Sequence, residues 1–208
     1  MLKIEKSKVH GIDTAIRGMR NPLESWDMSD SKHSGSGNYG IGNADRALMR
    51  RLVLAGTDHA KFMRFIMATC DVIAPLYFWK ENDVYRIGVE KNSCSTMHCI
   101  HKKPFKIEDF SAEDISDRYI PAFEETINAL NDARSMYLET GDKAFWRDMI
   151  QLLPSSYNQR RTCQFSYQAL RNIYFARRNH KLTEWHTFCD WIRSLPLADI
   201  ITAERSDT

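Results

Sequence analysis

No stretch of the 208-residue chain approaches the roughly 18 consecutive apolar residues that a membrane-spanning helix needs, which excludes insertion in a bilayer. The opening residues, MLKIEKSKVHGID, are too charged for a secretory leader. A disulfide framework is also missing: the five cysteines are odd in number and show no paired spacing, which points to a reducing, cytoplasmic setting. Nor does charge of one sign dominate. The 29 Lys and Arg against 27 Asp and Glu leave a formal +2, too little for the global field that marks a nucleic-acid binder. What the chain does have is 43% hydrophobic residues, enough to build one domain over residues 1–208 around a full core without staples.

The charges are distributed unevenly. Asp and Glu crowd residues 108–132, whereas 160–181 holds Arg160, Arg161, Arg171, Arg177, Arg178 and Lys181 with no acidic residue. A run of this kind reads either as a solvated helix face or as an anion site for a phosphate-bearing ligand. The stretch SDSKHSGSGNYGIGN, residues 29–43, is rich in Ser and Gly and reads as a flexible loop.

Patterning places the remaining elements. Asn43 is a candidate N-cap for the helix ADRALMRRLVLA, with Gly56 at its end. HAKFMRFI reads as a helical turn leading into MATCDVIAP, whose β-branched character suits a buried strand stopped by Pro75. PLYFWKEN reads as a short helix and VYRIGV as a short strand. Residues 118–139 keep apolar side chains near i, i+3, i+4 and i+7 and predict a long amphipathic helix closed by Gly141. DKAFWRDMIQLLP, SYQALRNIYFARR and LTEWHTFCDWIRSLP predict three more helices. The fold class is therefore α+β, predominantly helical with a small central sheet.

Residues 92–101, NSCSTMHCIH, gather Cys94, His98, Cys99 and His101. Structural zinc takes four ligands, usually as two separated pairs. Here no second C-x₂-C knuckle follows, and Cys163 or Cys189 would have to complete the set from a distance, so no metal site is assigned. A buried cysteine acts as a small apolar residue, but Cys94 lies among small polar neighbours and is also a candidate nucleophile. Tyr77, Phe78, Trp79, Trp185 and Trp191 read as core aromatics. His59, after GTD, reads as a satisfied polar group or as a base or cofactor contact.

In order along the chain, GTDHAKF, VIAPLYFWKENDVYRIGVEKNSCSTMH and LPSSYNQRRTCQFSYQALRNIYFARRNHKLTEWHTF resemble the flavin-dependent thymidylate synthases. The resemblance covers about residues 13–101 and 150–192. Ala74 and Pro75 match the family's strand end, and VYRIGV occupies its Arg-His-Arg-x-x-Ser signature. Arg86 matches the second signature arginine, while Val84, Tyr85 and Val89 replace the first arginine, the histidine and the serine. Asn92 stands where the family has glutamate, Cys94 where it has a substrate-facing serine, and Thr96 where it has arginine. Farther on, Leu153 and Pro154 match, Ser166 replaces an asparagine, Asn172 and Arg177 match, and a one-residue insertion brings Trp185 into register. The departures concentrate on residues that grip the nucleotide, and the scaffold positions survive.

The resemblance implies a flavin-dependent thymidylate synthase-like fold, FAD as cofactor, methylene-tetrahydrofolate as carbon donor, a pyrimidine nucleotide as substrate, and a homotetramer. It implies catalytic roles for Cys94 and Tyr85. Arg86, Asn92, Ser93, Ser95, Arg160, Asn172 and Arg177 would contact nucleotide, and His59, Arg178 and Lys181 would contact the cofactor. C5 methylation or hydroxymethylation of a dUMP-like substrate is the expected activity. A non-catalytic nucleotide binder on the same scaffold, and an RNA- or DNA-binding module using residues 160–181, are the alternatives.

Overall fold

The computed structural model describes residues 1–33 and 39–204. In chain order these form β1 (Lys3–His10), α1 (Ile12–Arg20), the two-residue strands β2 (Lys32–His33) and β3 (Tyr39–Gly40), α2 (Asn43–Ala55), β4 (Met67–Pro75), α3 (Leu76–Asn82), β5 (Val89–Ser93), α4 (Thr96–Cys99), α5 (Ile120–Thr140), α6 (Lys143–Leu152), β6 (Asn158–Ser166), α7 (Tyr167–Arg177), α8 (Thr183–Ser194) and α9 (Ala198–Ile201). One sheet has four strands in the order β1-β4-β6-β5, and β2 pairs with β3 antiparallel. This is the α+β arrangement expected from the sequence.

The chain divides into two compact units, and β4, β5 and β6 each contribute residues to both. The first comprises Met1–Lys3, Asp71–Val84 and Asn92–Thr162. Its core joins Ile127, Leu130 and Ala133 of α5 to Met149 of α6, with Ile100, Phe105 and Phe110 from the connection before α5. The aromatic edges of Phe110, Phe123 and Tyr157 meet at 5.4–5.6 Å between ring centres. Helix α5 ends where Gly141 adopts φ +70, a conformation that costs a residue without a Cβ little. Asp142 then caps α6 by accepting from the Ala144 amide at 2.8 Å.

The second unit comprises Ile4–Cys70, Tyr85–Lys91 and Cys163–Thr208. Helices α7, α8 and α9 close over a core that includes Phe165, Leu170, Ile173, Trp185, Phe188, Ile192 and Ile200. Side chains of this size each contribute about 1.5–3 kcal/mol when fully buried. A buried ion pair holds the other side of the unit. The Arg20 guanidinium meets the Asp45 carboxylate at 2.6 Å, with side chains 5% and 0% exposed. The hydroxyls of Ser29 and Ser31 also donate to Asp45, at 2.6 and 2.7 Å. Burial opposes the charge on Asp45, but the Ser29, Ser31 and Arg20 hydrogen bonds outweigh it and hold the carboxyl below the usual range.

Two local expectations change. Asn43 is the first residue of α2, not its cap. The Asp30 carboxylate performs that function, accepting from the amides of Ala44 at 2.8 Å and Asp45 at 3.0 Å, and it packs where a side chain on residue 42 would stand, so glycine is needed there. The expected loop 29–43 thus contains this cap and the β2–β3 pair, while residues 34–38 fall outside the described residues. The second change is VYRIGV. Its first five residues are coil and turn, and β5 begins only at Val89. Gly88 has φ +70, which breaks an extended run, and its carbonyl accepts from the Ser166 amide at 2.7 Å.

Candidate functional site

Strand β6 organises the first candidate site. Along it Gln159, Cys163 and Phe165 are buried while Arg160, Thr162 and Gln164 are exposed, the period of two that a half-buried strand requires. Adjacent arginines therefore leave on opposite faces. Arg161 lies over the Trp79 ring at 4.3 Å and bonds Asp83 at 2.8 Å and the Gln159 side chain at 2.9 Å. Arg160 is held instead by Asp71, whose carboxylate accepts from its Nη1 at 3.1 Å and from the Thr162 hydroxyl at 2.7 Å.

The start of α4 meets this strand. Ser95 caps α4 by accepting from the His98 amide. The Cys94 amide donates to the Arg160 carbonyl at 2.9 Å, and the Gln159 side-chain amide donates to the Cys94 carbonyl at 2.9 Å. These contacts fix Cys94, which is exposed. Cys94, Ser95, Thr96 and Cys99 line a pocket of about 550 Å³ together with Lys102, Lys103, Tyr157 and Arg160. Its phenol, Tyr157, is pushed above the ordinary value, chiefly by burial and then by the charges of Asp109, Cys94 and Cys99. Chemically the lining combines the cations Lys102, Lys103 and Arg160 with one carboxylate, Asp109, and with thiols, hydroxyls and an aromatic ring.

Asn92 and Ser93, at the end of β5, are exposed and do not line that pocket. Sequence reasoning missed Lys102, Lys103, Tyr157, Gln159 and Asp71. The alternation in NQRRTCQFS was the available signal: a strand there puts Arg160 and Thr162 on one face, where one carboxylate can serve both.

The second unit holds the remaining candidates in separate places. Tyr85 and Trp185 meet edge to face at 6.1 Å, and the Arg177 guanidinium lies over both, 5.6 and 4.8 Å from the ring centres. Arg177 Nε donates to the Tyr85 hydroxyl at 2.9 Å. Asn172 is exposed on α7, and its side-chain oxygen accepts from Gln168 at 3.3 Å. Arg86 is exposed in the coil before β5. Arg178 stacks on Phe175 at 4.9 Å and pairs with Glu204, and Lys181 is exposed.

His59 lies elsewhere in the same unit. It lines a pocket of about 860 Å³ with Met19, Leu23, Leu48, Leu52, Asp58, Lys61 and Phe62, which does not include Arg178 or Lys181. The structure therefore does not gather the three expected cofactor contacts around one cavity. Among the described residues no group of three or more His, Cys, Asp or Glu side chains is arranged to hold a metal, and none of the helices is long and apolar enough to cross a membrane.

A four-stranded sheet and nine α-helices among the described residues define the class, an α+β protein. The particular fold is that of the flavin-dependent thymidylate synthases. The chain is similar to ThyX from Helicobacter pylori, solved with FAD and dUMP, at a TM-score of 0.71 and 15% identity, covering 96% of each chain. It is also similar to the UMP/dUMP methylase PolB from Streptomyces cacaoi, solved with 5-Br dUMP, at a TM-score of 0.61 and 15% identity over 93% of this chain and 89% of that one. At this identity the likeness is one of fold. No family model matches the chain, and no curated protein matches it by sequence.

Proposed function

We propose that the protein binds a pyrimidine nucleoside monophosphate in the Cys94–Arg160 cleft and acts at C5 of a deoxyuridylate-like base. One observation carries this reading: the thiol and hydroxyl wall of Cys94, Ser95 and Thr96 lines the same pocket as the cations Arg160, Lys102 and Lys103. A phosphate monoester carries up to two negative charges and is suited to an Arg held in one orientation with lysines beside it. Asp71 orients Arg160, and Tyr157 offers a ring for the base. Cys94 sits where its sulfur can contact that base. The dUMP and 5-Br dUMP found with proteins of this fold support the same ligand class.

The His59 pocket is proposed for the flavin. Its apolar lining from Met19, Leu48, Leu52 and Phe62 suits the faces of a planar ring system, and Asp58, His59 and Lys61 supply polar groups for its edge. Bound there, FAD would supply the hydride chemistry that amino-acid side chains lack. Methylene-tetrahydrofolate is the proposed carbon donor, and a homotetramer the proposed assembly.

A non-catalytic nucleotide binder is the second reading. It is favoured by the Tyr85 hydroxyl, which already accepts from Arg177 and has its ring packed on Trp185. The absorbance spectrum of the natively purified protein, with mass spectrometry of any small molecule it carries, separates the two. A flavin spectrum with bound pyrimidine nucleotide supports the enzyme. A colourless protein that takes up no added flavin yet is stabilised by nucleotide supports the binder. Failure to bind any pyrimidine nucleotide refutes both.

A further inference from the structure

The sequence cluster NSCSTMHCIH contains a pair of thiols, Cys94 and Cys99, of which the nucleotide reading uses only the first. Ser95 is the N-cap of α4, and its hydroxyl accepts from the His98 amide at 3.3 Å. Counting from that cap, Cys94 precedes it by one position and Cys99 is the fourth helical residue. These are the two positions whose side chains fold onto one another across a helix start, where apolar residues commonly form a staple. Here both positions hold cysteines.

Three further observations place the two residues around one accessible pocket. Both residues line the 550 Å³ pocket. Cys94 is exposed and Cys99 half-buried. Both raise the pKa of the same phenol, Tyr157, behind the larger effects of burial and Asp109. The backbone around them is anchored as well, by the Cys94 bonds to Arg160 and Gln159, by the Cys99 amide donating to the Ser95 carbonyl at 3.0 Å, and by Trp146 Nε1 donating to the Met97 carbonyl at 3.2 Å. Cys70, Cys163 and Cys189 are buried and shielded from peroxide in solution, and burial pushes the Cys189 thiol up to about 11.

We propose that Cys94 and Cys99 are a redox modification site, converted by hydrogen peroxide into an intramolecular disulfide that closes the wall of the nucleotide pocket. The Cys94 sulfur attacks one peroxide oxygen, the O–O bond breaks, and the departing oxygen leaves as water, giving a sulfenic acid. The Cys99 sulfur then attacks the Cys94 sulfur, the S–O bond breaks, and a second water leaves. Two thiols lose two electrons and two protons, and the peroxide is reduced to two waters. The bond would hold the Cys94 sulfur against α4 and remove it from the cleft. Disulfide formation stands on the spacing about the Ser95 cap and on the shared pocket, whereas its effect on ligand rests on the nucleotide reading.

The test treats full-length protein with hydrogen peroxide, maps its peptides without reduction, and titrates reduced and oxidised samples with dUMP. The expected result is a Cys94–Cys99 linkage within one chain, reversed by dithiothreitol and abolished in Cys99→Ser, with dUMP affinity lost on oxidation and regained on reduction. Phenylarsine oxide, which bridges two neighbouring thiols, should bind one equivalent to the reduced protein and none to Cys99→Ser. Peroxide treatment that yields sulfenic or sulfinic acid at Cys94 without the linkage, or no arsenical binding, overturns the proposal. A linkage that leaves dUMP affinity unchanged overturns the gating of the pocket. A reduced protein that forms the linkage but never binds dUMP refutes the nucleotide reading while the modification site stands.

Discussion

Replacing Arg160 with alanine isolates the cation that the cleft depends on. Its guanidinium is aimed by Asp71 at 3.1 Å, but the side chain is 44% exposed, so the pair itself adds no more than about 1 kcal/mol to stability in solvent-screened surroundings. The larger loss is to ligand. A hydrogen bond from a charged donor to phosphate contributes about 1.5–3 kcal/mol, so Arg160→Ala should raise the Kd for dUMP by roughly 10- to 150-fold. Titration calorimetry on the reduced protein reads this directly, with circular dichroism to verify the fold. The neighbouring Arg161→Ala is the internal control. Arg161 has a side chain 15% exposed and is held by Trp79, Asp83 and Gln159, so its loss should lower Tm by an amount equivalent to about 1–3 kcal/mol and weaken dUMP far less than loss of Arg160 does. Unchanged affinity in Arg160→Ala, or a loss confined to Arg161→Ala, would refute the assignment.

Other substitutions probe the frame. Arg20→Met leaves Asp45 buried without its guanidinium and should cost about 3–5 kcal/mol in denaturant unfolding. Because the Asp45 carboxyl is held below its usual range in the folded protein, its contribution is complete above an unfolded pKa of about 4 and is lost as pH falls through the lower folded value; Asp45→Asn should flatten that part of the acid profile. In the other unit, Arg177→Ala should lower Tm by removing its packing on Tyr85 and Trp185, and because Arg177 is not in the lining of the Cys94–Arg160 cleft, a loss of dUMP affinity as large as that of Arg160→Ala would contradict the placement of the phosphate. Gly88→Ala should lower Tm, since φ +70 is unfavourable to a side chain and a Cβ there would run into the Ser166 hydroxyl; a variant as stable as the parent would contradict that geometry.

The helices were legible because their information is local. The period in residues 118–139 and the Gly141 stop account for α5, and Pro75 marks the junction between β4 and α3. Strand β6 was hidden because its exposed face carries Arg160 and Thr162, which resemble a charged loop until Asp71, 89 residues from Arg160 in sequence, is placed beside them. The cap of α2 was misassigned for a similar reason: Asp30 reaches it from 15 residues before Asp45, and no local rule selects that over Asn43. Cys94 was identified from its polar neighbours. The position of Cys99 relative to Cys94 depends on Ser95 capping α4, which the spacing in NSCSTMHCIH does not reveal.

The central claim is that the Cys94–Arg160 cleft holds a pyrimidine nucleoside monophosphate. Calorimetric titration of dUMP into the reduced, FAD-supplemented protein tests it most directly. Saturable binding at one site per chain, weakened by inorganic phosphate as a competitor and by Arg160→Ala, is the predicted result. Absence of saturable binding, or saturable binding indifferent to both phosphate and Arg160, would contradict it.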